Sequence, residues 1–160
     1  MTPSEVPVFV LCGGLGTRLK EETEFRPKPM VPIGGEPILA HILRDYRSHG
    51  FDRFVLCLGF KAEAIEEHFG RDESITLVRT GEAAMTGARV ARAAAECLGD
   101  AEHLGVTYGD GLTDADLAAE LDFHVAHGGI GTVLGVNPPS RFGELKIDGD
   151  RVVEFDEKPQ

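Results

Sequence analysis

The sequence predicts an α/β fold: a Rossmann-like, doubly wound, mostly parallel sheet with a C-terminal β-hairpin. Three observations predict it. Short apolar, β-branched runs alternate with segments of helical period along all 160 residues, and that alternation builds β-α-β units with helices on both faces of a sheet. The first run, residues 8–12 (VFVLC), is apolar throughout, as a central strand buried on both faces must be. The tail, residues 143–155, reads as an antiparallel pair turning at Asp148-Gly149.

The elements follow in order. After the first strand, Pro37 opens a helix that presents Ile38, Leu39, Ile42, Leu43 and Tyr46 on one face, and Gly50 ends it. Residues 53–58 (RFVLCL) form the second strand, a short helix covers 62–69, and 75–78 is the third strand. A helix over 87–98 gathers Val90, Ala93, Ala94, Cys97 and Leu98, and 103–108 is the fourth strand. Thr113 then caps a helix with Asp114 and Asp116 in its first turn, where carboxylates suit the helix dipole. That helix buries Leu117, Leu121 and Val125 and stops at Gly128. Residues 130–136 (IGTVLGV) read as a fifth strand. There is no repeat and no linker-like stretch, so residues 1–160 are expected to form one domain.

Composition narrows the function classes. A net charge of −11 argues against a nucleic-acid surface, which needs a basic footprint. It leaves an anionic small-molecule substrate open, because the charge at the site matters more than the total. No apolar run approaches the ~20 residues of a membrane span, and the first residues carry no basic secretory region. Cys12, Cys57 and Cys97 lie far apart in apolar surroundings without metal or redox spacing. They are expected to be buried, reduced thiols of a cytoplasmic protein.

In a doubly wound sheet the ligand sits at the carboxyl ends of the strands. The loops there are 13–32, 80–86 and 109–112. Residues 11–19 (LCGGLGTRL) place three glycines in four positions after the first strand, followed by Thr17 and Arg18. The run lacks the Lys-Ser/Thr ending of a P-loop. It also lacks the third glycine of a dinucleotide fingerprint, and no carboxylate ends strand two to take a ribose. What remains is a loop whose amides can line an anion, with Arg18 attached and a second cation, Lys28, between Pro27 and Pro29. The two prolines are expected to hold that segment extended and aim one ammonium. At the end of strand four, Tyr108-Gly109-Asp110-Gly111 sets a carboxylate between glycines. A plain Asp-Gly turn would suffice in isolation; beside two cations, Asp110 becomes a candidate Mg²⁺ ligand, since nucleotide-bound Mg²⁺ is held by one or two carboxylates. His124 and His127 stand three apart on one helix face without a metal motif, and they read as structural.

Several of these stretches occur together, in order, in one known family. Gly13-Gly14-Leu15-Gly16-Thr17-Arg18-Leu19, Lys28-Pro29-Met30, Gly34-Gly35-Glu36-Pro37-Ile38, Tyr108-Gly109-Asp110-Gly111 and Glu157-Lys158-Pro159 resemble the sugar-1-phosphate nucleotidylyltransferases. The stretches EETEFRPKPMVPIGGEPILAHIL, LVRTGEAAMTGARV and PPSRFGELKI resemble the branch that joins CTP to glucose-1-phosphate. The resemblance implies a Mg²⁺-dependent attack of a sugar-1-phosphate oxygen on the α-phosphorus of a nucleoside triphosphate, releasing pyrophosphate. It assigns the nucleotide to Leu11, Gly13, Gly14, Gly16, Thr17, Thr80, Gly81, Met85, Gly87 and Arg89. It assigns catalysis to Arg18, Lys28 and Asp110, with Asp110 as metal ligand, and the sugar phosphate to Gly143, Glu157 and Lys158. Two departures stand out: only five residues separate Phe69 from Ile75, where the family has a longer segment, and Ala84 replaces a hydroxyl. UTP, dTTP or GTP, and a non-catalytic nucleotide-binding role, are the alternatives. The chain matches the N-terminal two-thirds of the family pattern. A homo-oligomer or a further C-terminal part is therefore expected to complete the sugar site and supply a second metal-binding aspartate.

Overall fold

Four parallel strands form the central sheet of the computed structural model, which describes residues 1–14, 26–136 and 143–156. Strand β1 (Val8–Leu11) lies between β4 (Phe54–Leu58) and β6 (Gly105–Tyr108), and β5 (Ile75–Arg79) flanks β4. Val8 pairs with Phe54 and Gly105, and Leu11 with Cys57 and Tyr108. The all-apolar first strand is thus central, and each of its residues is buried.

Alternation along the strands separates two cores. On one face Val8, Val10, Leu56 and Leu58 pack with Leu39 and Leu43 of α1 (Ile38–Ser48), Ile65 and Phe69 of α2 (Ala62–Phe69), and Leu117 and Leu121 of α4 (Leu117–His127). On the other, Phe9, Leu11, Val55 and Cys57 meet Val90, Ala93, Ala94 and Cys97 of α3 (Thr86–Cys97). Helices therefore cover both faces, and each fully buried Leu or Phe contributes about 1.5–3 kcal/mol. The chain runs from β1 to β4 and β5 on one side, then returns to place β6 on the other side of β1. That reversal puts the topological switch point between β1 and β6. No described helix is long and apolar enough to cross a membrane.

Several expected elements differ in detail. The helix expected to start at Thr113 starts at Leu117, because Asp116 is the N-cap: its side chain accepts from the Ala119 amide at 3.0 Å. Thr113 instead accepts from the Ala115 amide in the preceding turn. Val125, expected in the core, is 44% exposed. Residues 130–136 are not assigned to a strand among the described residues, and Ile130, Val133 and Val136 are exposed. A β-branched run becomes a strand only where a neighbour pairs with it. The segment holding Lys28 is not extended. Lys28–Met30 is a short 3₁₀ turn, closed by Met30 N–H donating to the Pro27 carbonyl at 2.8 Å, a conformation that the fixed φ of Pro29 permits. A small hairpin, β2 (Pro32–Ile33) with β3 (Glu36–Pro37), follows it, turning at Gly34 and Gly35 with positive φ at both.

The chain divides into two compact units, Met1–Gly128 and Gly129–Gln160. The second contains the expected hairpin, β7 (Glu144–Asp148) and β8 (Arg151–Asp156). Its turn lies one residue later than expected, at Gly149-Asp150, since Asp148 still pairs with Arg151.

Candidate active site

A cleft of about 550 Å³ opens at the carboxyl ends of β1 and β6. Residues 11–14 with Lys28 and Pro29 wall one side, residues 82–86 with Arg89 the second, and Tyr108 with Asp110 the third. The three loops at the strand ends therefore converge on one space, at the switch point where an open α/β sheet leaves room for a ligand.

Close packing sets the cations and carboxylate of this cleft. A side chain at Gly109 would meet Pro29 Cγ at 2.9 Å, Cys12 Sγ at 3.0 Å and the Leu11 carbonyl at 3.3 Å. Only a bare backbone lets the end of β6 sit so close to β1 and to the 28–30 turn. That approach brings the Lys28 ammonium onto Asp110 Oδ2, an ion pair with both side chains about one-third exposed. Two residues 82 positions apart are thereby joined in the cleft wall.

Arg89, on the first turn of α3, is buried. Its Nη1 donates to the Leu58 carbonyl at 3.2 Å and to Thr80 Oγ1 at 2.9 Å. Its Nη2 donates to the carbonyls of Gly13 and Glu82, both at 2.9 Å. Thr80 Oγ1 in turn donates to the Leu58 carbonyl at 2.7 Å. Burial pushes the Arg89 pKa below the usual guanidinium value, with neighbouring Arg92 adding to the effect. Among the described residues no carboxylate forms an ion pair with it.

Leu11, Gly13, Gly14, Lys28, Met85, Arg89 and Asp110 all line the cleft. Thr80 is buried behind it, and Gly81 and Gly87 are not in its wall. Met85 is the N-cap of α3 and is 79% exposed, so it belongs to the cleft and not to the core. Gly143 lies in the second unit, against the Phe155 ring. Gly16, Thr17, Arg18, Glu157 and Lys158 lie outside the described residues. His124 faces His103, with Nδ1 of His103 and Nε2 of His124 3.0 Å apart, a tie between α4 and the approach to β6. No group of three or more His, Cys, Asp or Glu that could hold a metal occurs among the described residues.

Comparison with known proteins adds the decisive observation: residues 8–160 match the family described as Nucleotidyl transferase. The chain belongs to the nucleotidyl transferase family. It is an enzyme of that class, and its curated relatives agree. It is 44% identical to a glucose-1-phosphate cytidylyltransferase of Salmonella typhi, over 94% of this chain and 68% of the relative. It is 36% identical to a probable glucose-1-phosphate cytidylyltransferase of Bacillus subtilis, over 93% of this chain and 67% of the relative. Among solved structures, HddC from Yersinia pseudotuberculosis complexed with GMP-PN superposes with a TM-score of 0.69 at 28% identity, covering 97% of this chain and 70% of that one.

The cleft also contains residues that sequence reasoning did not select, namely Cys12, Pro29, Glu82, Ala83, Thr86 and Tyr108. Most adjoin selected positions and could have been found by taking each loop whole. Tyr108 carried its own signal. It pairs with Leu11, so it stands at the strand end beside the glycine-rich run, and it is 57% exposed.

Proposed function

We propose that this chain transfers a nucleotidyl group from a nucleoside triphosphate, CTP favoured, to a sugar-1-phosphate, glucose-1-phosphate favoured. A phosphate oxygen of the sugar phosphate attacks the α-phosphorus, the α–β bridging bond breaks, and pyrophosphate leaves with that electron pair. The observation that carries the reading is the convergence of Lys28, Asp110 and the backbone of residues 11–14 on one cleft at the switch point. The choice of CTP and glucose-1-phosphate is supported by relatives at 44% and 36% identity bearing those names, against 28% for the structure complexed with GMP-PN.

Little covalent work falls on the protein in such a displacement; positioning and charge stabilisation carry it. The amides of Gly13 and Gly14 would approach the triphosphate, joined by Gly16, Thr17 and Arg18, while Lys28 would neutralise phosphate charge at the reacting centre. Met85 and its neighbours in the 82–86 loop would border the base and ribose. Gly143, Glu157 and Lys158 are proposed for the sugar phosphate. Asp110 suits Mg²⁺ by the chemistry of its donor: a hard carboxylate oxygen, open to the cleft, that already holds a cationic ammonium. One or two such carboxylates are the usual protein share when phosphates supply further ligands. Bound there, Mg²⁺ would supply charge neutralisation of the phosphates. Lys28 pairs with Oδ2 of Asp110; as Mg²⁺ and the phosphates bind, the ammonium would turn to the phosphates and leave both carboxylate oxygens to the metal.

The test incubates the chain with Mg²⁺, glucose-1-phosphate and each of CTP, UTP, dTTP, GTP and ATP, and measures pyrophosphate together with the nucleotide sugar. The reading expects both products in equal amounts, fastest with CTP. Tight CTP binding with no pyrophosphate from any pair would favour a non-catalytic nucleotide-binding chain and overturn it.

A further inference from the structure

The Arg89 guanidinium sits between two glycines. A side chain at Gly13 would meet Arg89 Nη1 at 2.0 Å, and one at Gly59 would meet it at 2.6 Å and the Gly13 carbonyl at 2.7 Å. Both positions are therefore closed to any larger residue while Arg89 keeps its place. The group donates to four acceptors drawn from three segments: the end of β1 at Gly13, the end of β4 at Leu58, and Thr80 with Glu82 after β5. Arg92, one turn further along α3, donates to the Thr80 carbonyl and fixes the same segment from the side. Among the described residues its partners are carbonyl and hydroxyl dipoles and no carboxylate, so they do not neutralise its charge. In a cleft wall that charge favours an anionic occupant.

We infer that Arg89 is a positioning residue: it clamps the backbone that opens the glycine-rich run to the 82–86 loop, and it acts on the nucleotide through those backbones and its charge, not by reading the base. This deepens the nucleotidyl-transfer reading and rests on it. A planar fork is required, because one ammonium has three donors on a single nitrogen and here two nitrogens serve four acceptors. If Arg89 instead contacted the base, its loss would be felt only by ligands that have one.

The experiment measures binding of inorganic tripolyphosphate and of CTP, each with Mg²⁺, to the full wild-type chain, Arg89→Lys and Gly59→Ala. Gly59 does not line the cleft, so its substitution disturbs the clamp without touching a ligand. Both variants should weaken both probes by the same factor, about tenfold or more, the scale of one lost charged hydrogen bond. A loss confined to CTP, or wild-type affinity for both probes in folded variants, overturns the clamp. Nitrogen-15 NMR of the wild-type guanidinium groups decides the matter even if the variants do not fold. Arg89 Nη protons should exchange far more slowly than those of Arg44, whose side chain is 61% exposed, and should respond alike to the two probes. Exchange as fast as Arg44, or a response to CTP alone, contradicts the clamp. Slow exchange in a wild-type chain that binds neither probe overturns the nucleotidyl-transfer reading and, with it, the clamp's role in binding.

Discussion

At the residue scale, Asp110 and Lys28 neutralise each other in the cleft wall, and this has consequences for both. Asp110→Asn removes the proposed metal ligand and frees the ammonium. Turnover with Mg²⁺ should fall roughly 10³-fold, the scale of losing charge stabilisation at a phosphoryl centre. CTP binding without Mg²⁺ should be undiminished, because Lys28 is no longer held; calorimetry without the metal checks this, and weakened binding would count against the exchange of partners. The buried thiols make a separate prediction. Burial raises Cys57 from the ordinary 9.0 to about 11, and raises Cys12 further. Groups with a raised folded-state pKa stabilise fully below the unfolded value, and that contribution is lost as pH rises through the folded one. The urea midpoint should therefore fall between pH 9 and 11, and Cys57→Ala should show a shallower fall across that window. An identical slope in the variant would assign the alkaline loss to other groups.

At the scale of elements, helix and strand cores were legible in the sequence because their period is set by burial. Leu39, Ile42 and Leu43 are buried along α1 as the spacing required, and β1 is central as its unbroken apolar run required. Ends and connections were less legible. Thr113 and Asp116 are both competent caps, and the sequence does not say which finds a free amide; the structure gives Asp116 that of Ala119. Asp116→Ala should accordingly cost about 1 kcal/mol of stability, read from denaturant unfolding, whereas Thr113→Ala should cost less. A larger loss at Thr113 would return the helix start to that residue. Residues 130–136 mislead for a different reason: β-branched content states a preference, and only a neighbouring strand converts it into structure.

At the scale of the whole molecule, the sheet order makes the site. Placing β6 beside β1 after β4 and β5 have gone the other way brings the 11–14 backbone, Lys28 and Asp110 together, and the Gly109 contact with Pro29 closes their separation. The loops were legible from the rule for doubly wound sheets. The pairing of Lys28 with Asp110 and the burial of Arg89 were not, since they depend on side chains far apart in sequence meeting across strand ends. The chain's net charge of −11 opposes an anionic substrate at long range, so local cations must provide the attraction; among the described residues Lys28, paired with Asp110, and Arg89 line the cleft. The most direct test of that central claim compares pyrophosphate release by wild type and Lys28→Ala, with CTP, glucose-1-phosphate and Mg²⁺. The account predicts release by the wild type and a loss of roughly 10³-fold in the variant, with its fold intact by circular dichroism; undiminished release by Lys28→Ala would contradict it.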